Sequence, residues 1–285
     1  MSTPAIQPAA SRLSLAFSPC PNDTFIFHAW THGLISNAPE TSVTFADVDV
    51  TNDAAQRGQF DVVKVSYGAL PWLLDKYRLL PCGGAVGRGC GPLVLTRDRR
   101  TDLTGARVAV PGERTTAYLL LRLWAAGQWP ASIEVAHFGQ IMPGIRDGRF
   151  DAGLVIHEAR FTYPLYGLTP LADLGEWWEA STGQPIPLGA ILARRAPSRP
   201  DLDPAALTRV IRASVEHALA HPQASARFVA EHAAEMDPAV QRRHIGLYVN
   251  EYSRDLGESG YAAITDLMDR AHSAGLIPPV GDLRA

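Results

Sequence analysis

Proton transfer, nucleophilic attack and metal binding fall mostly to histidine, cysteine and carboxylate side chains, and their spacing narrows what this chain can do. The sequence has nine histidines. His28 and His32, and again His217 and His221, stand four apart on helical stretches, a spacing that can set two ligands on one metal. No third ligand stands near either pair, so both read as surface or core-edge histidines. His157-Glu158 opens like a zinc-hydrolase motif, but residue 161 is Phe where H-E-x-x-H needs its second His. No metal is therefore expected. Cys20, Cys82 and Cys90 form no C-x-x-C pair, and an odd count argues against a disulfide framework. Cys82 and Cys90 read as free structural thiols. Cys20 lies in a loop, which alone does not make it a nucleophile. No G-x-S-x-G, P-loop or dinucleotide fingerprint occurs, so the residues indicate no cofactor.

Two loop-to-helix junctions, Asn22-Asp23-Thr24 and Thr115-Thr116-Ala117, have the composition of a site for anions or hydroxyls. Free backbone N–H groups at a helix start, at the positive end of its dipole, hold such oxygens. The same residues also serve as plain caps, and both readings stand at this level. His157 follows a short apolar run. A lone histidine is usually structural, but one at a strand end beside a cleft is equally a proton carrier.

The elements that must position these residues alternate apolar runs with helical patterns, the signature of parallel βαβ units. Strands are expected at Leu13–Phe17, Val43–Val50, Asp61–Ser66, Leu93–Thr96, Arg107–Val110, Ile133–Phe138, Ala152–Ile156, Leu168–Leu174 and Ile186–Ala193. Helices are expected from Thr24 to about Gly33, from Thr51 to Gly58, over Tyr67–Tyr77 and over Ala117–Gly127. After Arg194 the pattern is helical only, with Asp203-Pro204 and Asp237-Pro238 as helix starts and further helices at Gln223–Ala234 and Glu258–Ala274. The glycine-rich stretch 83–92 leads into a strand rather than a helix, so it reads as tight backbone beside a cleft, not a phosphate loop.

An internal echo locates that cleft. Gly58-Gln59-Phe60-Asp61 resembles Gly148-Arg149-Phe150-Asp151, and each precedes a buried strand. The first strand ends at Ser66 and the second leads to His157. Ligands of open α/β sheets bind outside the carboxyl ends of strands. Ser66 and His157 are thus expected to face one another across a cleft holding a small polar ligand. The fold class is α/β and two-lobed. A large discontinuous lobe is expected over residues 12–95 and 196–285, with a small lobe, 96–195, inserted between them.

Composition excludes several classes. Apolar residues make up 46% and charged residues 19% of the 285, an ordinary globular balance. A net charge of −3 gives no electrostatic basis for nucleic-acid binding. The clusters at residues 97–100 and 242–243 are short and mixed, so they read as solvated faces. Met1–Pro8 has neither a basic nor an apolar signal region, and no run approaches the ~18 apolar residues of a membrane span. The expectation is a cytoplasmic protein with a small-molecule partner, no membrane association and an undetermined oligomeric state.

Several strings together resemble a known family. They are Ser18-Pro19-Cys20-Pro21-Asn22-Asp23-Thr24-Phe25, Lys64-Val65-Ser66-Tyr67, Gly89-Cys90-Gly91-Pro92-Leu93, Pro111-Gly112 with Thr115-Thr116-Ala117, residues 156–163 and Pro187-Leu188-Gly189-Ala190-Ile191. In this order and spacing, from about Leu13 to the C-terminus, they resemble the 1,4-dihydroxy-6-naphthoate synthases of the futalosine route to menaquinone. The resemblance implies a fold like type II periplasmic binding proteins. It implies a lyase that turns cyclic dehypoxanthine futalosine into 1,4-dihydroxy-6-naphthoate without metal or organic cofactor. The family's proton-accepting His falls on His157, its substrate-contacting strand end on Lys64, Val65 and Ser66, and its helix-start contact on Thr116 and Ala117. Asp23 and Asn52 fall on polar cleft positions. Two other classes share the architecture. A transport solute-binding protein is disfavoured because no signal peptide or lipoprotein Cys is seen. Chorismate dehydratase is disfavoured by the string at residues 18–25.

Overall fold

The computed structural model describes residues 12–196, 199, 202–234 and 237–284; the reading of Met1–Pro8 lies outside the described residues. Two five-stranded sheets organise the chain. The first contains β1 (Leu13–Phe17), β2 (Thr41–Phe45), β3 (Val62–Ser66), β4 (Tyr77–Gly87) and β10 (Ile186–Arg194) in the order β2-β1-β3-β10-β4. The second contains β5 (Leu93–Thr96), β6 (Arg107–Val110), β7 (Ser132–Val135), β8 (Ala152–Val155) and β9 (Thr169–Asp173) in the order β7-β6-β8-β5-β9. In each sheet four strands run the same way, and the single antiparallel strand, β10 or β5, sits between the third and the last. The central strands read as unbroken apolar runs because helices cover both faces. In β3 all five residues, Lys64 included, are buried.

The helices are α1 (Pro21–Thr31), α2 (Val48–Gln56), α3 (Thr116–Trp124), α4 (Phe138–Arg146), α5 (Ala159–Thr162), α6 (Leu174–Thr182), α7 (Pro204–Ala220), α8 (Ala226–His232), α9 (Pro238–Tyr248), α10 (Glu251–Arg254) and α11 (Gly257–Ser273), with 3-10 turns at Tyr67–Trp72 and Tyr163–Tyr166. Helices α7 to α11 return to the first sheet. Ser214 of α7 donates to Ile26 O at 2.6 Å and accepts from Trp30 N at 3.1 Å, which ties α7 to α1. Ser253 of α10 donates to Gly84 O of β4 at 3.2 Å. No helix among the described residues is long and apolar enough to cross a membrane.

Several boundaries differ from the sequence expectation. The chain leaves the first sheet after Gly87, so Leu93–Thr96 already belongs to the second; Ile186–Arg194 belongs to the first. The expected crossings at 95/96 and 195/196 placed these two strands in the wrong halves. Both are antiparallel strands delivered by the connection between halves, and a local apolar run does not say which sheet it joins. The strand expected to run to Val50 ends at Phe45, and α2 starts at Val48 with Asp47, not Thr51, at the N-cap position. Alternating Asp47 and Asp49 imitate a strand over so short a window. Helices α4 and α6 were not anticipated, because Pro143 interrupts the helical pattern of the first and the second has only nine residues. The stretch Tyr67–Tyr77 forms a 3-10 turn that stops at Trp72, with Pro71 inside it.

The echoed motifs do the same job in both halves. Gly58 and Gly148 adopt left-handed φ of 68° and 78°. Asp61 then accepts from Ser14 N at 3.0 Å, and Asp151 from Arg107 N at 2.8 Å. Each carboxylate pins the start of the parallel strand beside its own, β1 or β6.

Candidate active site

A cleft between the two sheets holds roughly 710 Å³ of space free of atoms, part of it open to solvent. From the first half it is lined by Ser18, Asn22 and Asp23 at the start of α1, by Lys64, Val65 and Ser66 at the carboxyl end of β3, by Leu188 and Gly189 of β10, and by His244 and Tyr248 of α9. From the second half come Thr115, Thr116, Ala117, Ile156 and His157. The structure therefore gathers Asp23, Lys64, Val65, Ser66, Thr116, Ala117 and His157 around one space. Asn52 does not line it. It lies behind Ser66, 2% exposed, where Oδ1 accepts from Ser66 N at 2.8 Å and Nδ2 donates to Ser66 Oγ at 3.4 Å. Asn52 thus fixes the strand end and the orientation of the Ser66 hydroxyl.

The start of α1 is used up internally. Asp23 stands in its first turn, pairs with Lys64 and accepts from Ser18 Oγ at 2.7 Å and Asn22 Nδ2 at 2.8 Å. An acidic side chain already complements the helix dipole there. The anion-binding reading of residues 22–24 accordingly fails, and Asp23 and Lys64 form a buried ion pair in the cleft wall. The helix also begins at Pro21, earlier than Thr24, because Pro is preorganised for the first helical position.

At the start of α3 the two readings divide between neighbours. Thr115 is the cap, accepting from Tyr118 N at 3.1 Å. The Thr116 hydroxyl bridges the halves, donating to Leu188 O at 2.8 Å and accepting from Gly68 N at 3.0 Å. Gly68 must be glycine, since a Cβ would lie 2.9 Å from Thr115 O and Thr116 N. With its hydroxyl engaged, Thr116 has its backbone N–H to offer a ligand, beside that of Ala117.

Strand β8 ends at Val155, and His157 sits just beyond it with φ of 59°. This left-handed conformation is uncommon outside glycine, though His is among the residues enriched there. The turn ends strand alternation, so Glu158 is not sent to the opposite face. A Cys20 sulfur, a His157 nitrogen and a Glu158 oxygen all lie within 4.8 Å of one another. Cys20 Sγ is 3.2 Å from His157 Nδ1, and the Phe138 ring meets the imidazole edge-on at 5.7 Å. Among the described residues, this trio is the one group of His, Cys and carboxylate placed to share a cation. Burial, then Glu158 and Asp23, push the Cys20 thiol well above its ordinary pKa, which opposes the thiolate a metal would require. The His28–His32 and His217–His221 rings lie tilted against each other at 4.3 and 4.8 Å, and none of the four lines the cleft.

Sequence reasoning missed His244 and Tyr248. His244 is 1% exposed and its Nε2 lies 3.0 Å from Asn22 Oδ1. Burial, His157 and Lys64 hold its pKa well below the ordinary value, so the ring is neutral. Burial likewise pushes the Tyr248 phenol upward. Nothing local marks either residue; α9 reaches the cleft only by folding back over α1. The glycine-rich stretch does lie beside the cleft, through Ala85, Cys90 and Pro92. Arg160 holds it by donating to Gly91 O at 2.8 Å while paired with Asp173 at 2.5 Å.

Two α/β halves of equal strand order, each with one antiparallel strand and facing one another across a cleft, define a periplasmic-binding-protein-like fold. A Candida albicans protein described as having the generic periplasmic binding protein fold superposes with a TM-score of 0.70 at 11% identity, over 96% of this chain and 94% of that one. A structure from Archaeoglobus fulgidus gives 0.86 at 34% identity, over 93% and 98%. Residues 13–273 match the menaquinone biosynthesis family. A 1,4-dihydroxy-6-naphthoate synthase of Streptomyces coelicolor is 60% identical over 279 residues, 96% of this chain and 97% of the relative. The chain belongs to the menaquinone biosynthesis family, on the branch of the 1,4-dihydroxy-6-naphthoate synthases.

Proposed function

We propose that the protein converts cyclic dehypoxanthine futalosine to 1,4-dihydroxy-6-naphthoate, with His157 as the general base. The observation that carries this reading is His157 itself, held at the end of β8 in a cleft whose opposite wall is Lys64-Val65-Ser66, in a chain of this family. Opening the cyclic substrate and forming an aromatic ring require protons to leave carbon or hydroxyl positions. Imidazole, ordinarily with a pKa near ~6.5, is the side chain best matched to that task at neutral pH. Ser66 Oγ and the first amides of α3 hold the substrate's carboxylate or ring hydroxyls from opposite halves, and Asn52 keeps Ser66 in place. The closed halves exclude water and fix the reacting geometry. Lys64 and Asp23 neutralise each other and shape the polar wall between them. The free thiols Cys20, Cys82 and Cys90 suit a reducing compartment, in keeping with a cytoplasmic enzyme acting on a small molecule.

The test is to incubate the purified protein with cyclic dehypoxanthine futalosine and, separately, with chorismate, and to follow products by mass spectrometry. Formation of 1,4-dihydroxy-6-naphthoate from the first substrate alone is expected. Turnover of chorismate would reassign the protein to the dehydratase reaction. Tight binding without turnover of either would make it a solute-binding protein.

A further inference from the structure

Cys20 and His157 come from different halves of the molecule and meet only across the cleft. Cys20 is the N-cap residue of α1, and its backbone leads straight from β1. His157 follows β8 in the other half. Their contact, Sγ to Nδ1 at 3.2 Å, lies within hydrogen-bonding reach of sulfur. The Phe138 ring packs against the imidazole edge-on and offers no hydrogen bond.

A Cys–His pair at this distance can take two forms. In one, the thiol gives its proton to the imidazole and a thiolate–imidazolium nucleophile results. Here Cys20 is 7% exposed, and Glu158 and Asp23 bring negative charge toward the sulfur. Both conditions oppose a thiolate, so the proton stays on sulfur and His157 is not protonated by its neighbour. What remains is a neutral hydrogen bond at Nδ1, in which sulfur either donates its S–H to a bare Nδ1 or accepts from Nδ1–H; with Nδ1 against Cys20, Nε2 is the nitrogen left for the substrate, and only the second form leaves it basic. An imidazole that must accept a proton at one nitrogen carries its hydrogen on the other. A partner that takes the Nδ1 proton as a hydrogen bond thereby selects the tautomer with a basic Nε2, as a carboxylate does in hydrolase triads.

We propose that Cys20 is a positioning residue for His157: its sulfur accepts the Nδ1–H hydrogen bond, leaves the Nε2 lone pair for the substrate, and does so only when the two halves are closed. This inference rests on His157 being the base. It couples closure to chemistry without a covalent role for the cysteine. Because the two residues belong to different halves, the contact requires the halves to meet.

The experiment compares Cys20→Ala, Cys20→Ser and His157→Asn in the full-length enzyme, together with the double variant Cys20→Ala/His157→Asn. A neutral hydrogen bond corresponds to about 3- to 10-fold in rate. Cys20→Ala is expected to lower kcat by that factor with KM nearly unchanged. Cys20→Ser, whose hydroxyl also accepts, is expected to recover most of the loss. In 15N spectra above pH 8 the wild type should show His157 protonated at Nδ1, and Cys20→Ala should show the Nε2–H tautomer growing in. In the double variant, losing the thiol should cost nothing beyond His157→Asn. Wild-type kcat in Cys20→Ala, an Nε2–H tautomer in the wild type, or an undiminished Cys20→Ala effect in the His157→Asn background would each overturn the positioning role while leaving His157 as the base. Full activity of His157→Asn would overturn the base assignment and the positioning role with it.

Discussion

Replacing His157 by asparagine isolates the proton-transfer step, and the backbone explains why asparagine is the right choice. His157 has φ of 59°, where a side chain with Cβ costs roughly 1–2 kcal/mol unless it is one of the few residues that tolerate the region. Asparagine does tolerate it, so the backbone is kept while the imidazole, and with it Nε2, is removed. Alanine would add backbone strain to the loss of the ring and confuse the two effects. General-base catalysis contributes about 10²- to 10⁴-fold. His157→Asn is therefore expected to lower kcat by a factor of about 10² to 10⁴, a barrier increase of about 3–5 kcal/mol. Affinity for the substrate or the product naphthoate should change by less than about threefold, because the groups expected to bind it, Ser66 and the α3 amides, stay in place. The assay pairs steady-state turnover with calorimetric binding, and a melting curve establishes that the variant is folded. If the folded variant keeps more than about a tenth of wild-type kcat, some other group is the base.

Three further perturbations probe the surrounding cleft. Ser66→Ala removes one neutral hydrogen bond and the acceptor that Asn52 Nδ2 uses, so ligand affinity should fall about 2- to 10-fold without being abolished; wild-type affinity would remove Ser66 from the site. Asp23→Asn leaves the Lys64 ammonium, its side chain 8% exposed, without its counter-charge, and urea denaturation should show a loss of about 3–5 kcal/mol, partly recovered by adding Lys64→Met. His244, packed among Asn22, Glu158, Tyr248, His157 and Lys64, has a lowered pKa in the folded state. The unfolded chain therefore binds the extra proton between that value and about 6.5, so the stabilisation is complete above pH ~6.5 and is lost as pH falls toward the folded pKa. His244→Gln should flatten the stability profile below about pH 6.5 by up to ~1.4 kcal/mol per pH unit, and an unchanged slope would show that other groups set it.

The α/β class, the inserted second half and most strand positions follow from local pattern, because apolar runs, glycine stops and Asp-Pro helix starts act over a few residues. The strand at Leu13–Phe17 and that at Arg107–Val110 have their sequence-derived bounds for this reason. The echo around Asp61 and Asp151 located two equivalent strands, and with them Ser66 and His157, since ligand clefts form at the carboxyl ends of such strands. What the sequence left open depends on partners far away along the chain. Leu93–Thr96 and Ile186–Arg194 pair antiparallel in the sheets they complete, and no local signal states which sheet a connecting strand will join. The junction at residues 22–24 has the composition of an anion site, yet Lys64, 41 residues on from Asp23, turns it into a buried ion pair. His244 enters the cleft because α9 packs back onto α1, 222 residues from its Asn22 partner. Cys20 meets His157 across 137 residues and only where the two halves touch. Short-range propensity fixes each wall of the cleft; the chemistry between the walls belongs to contacts that exist only once the chain has closed on itself.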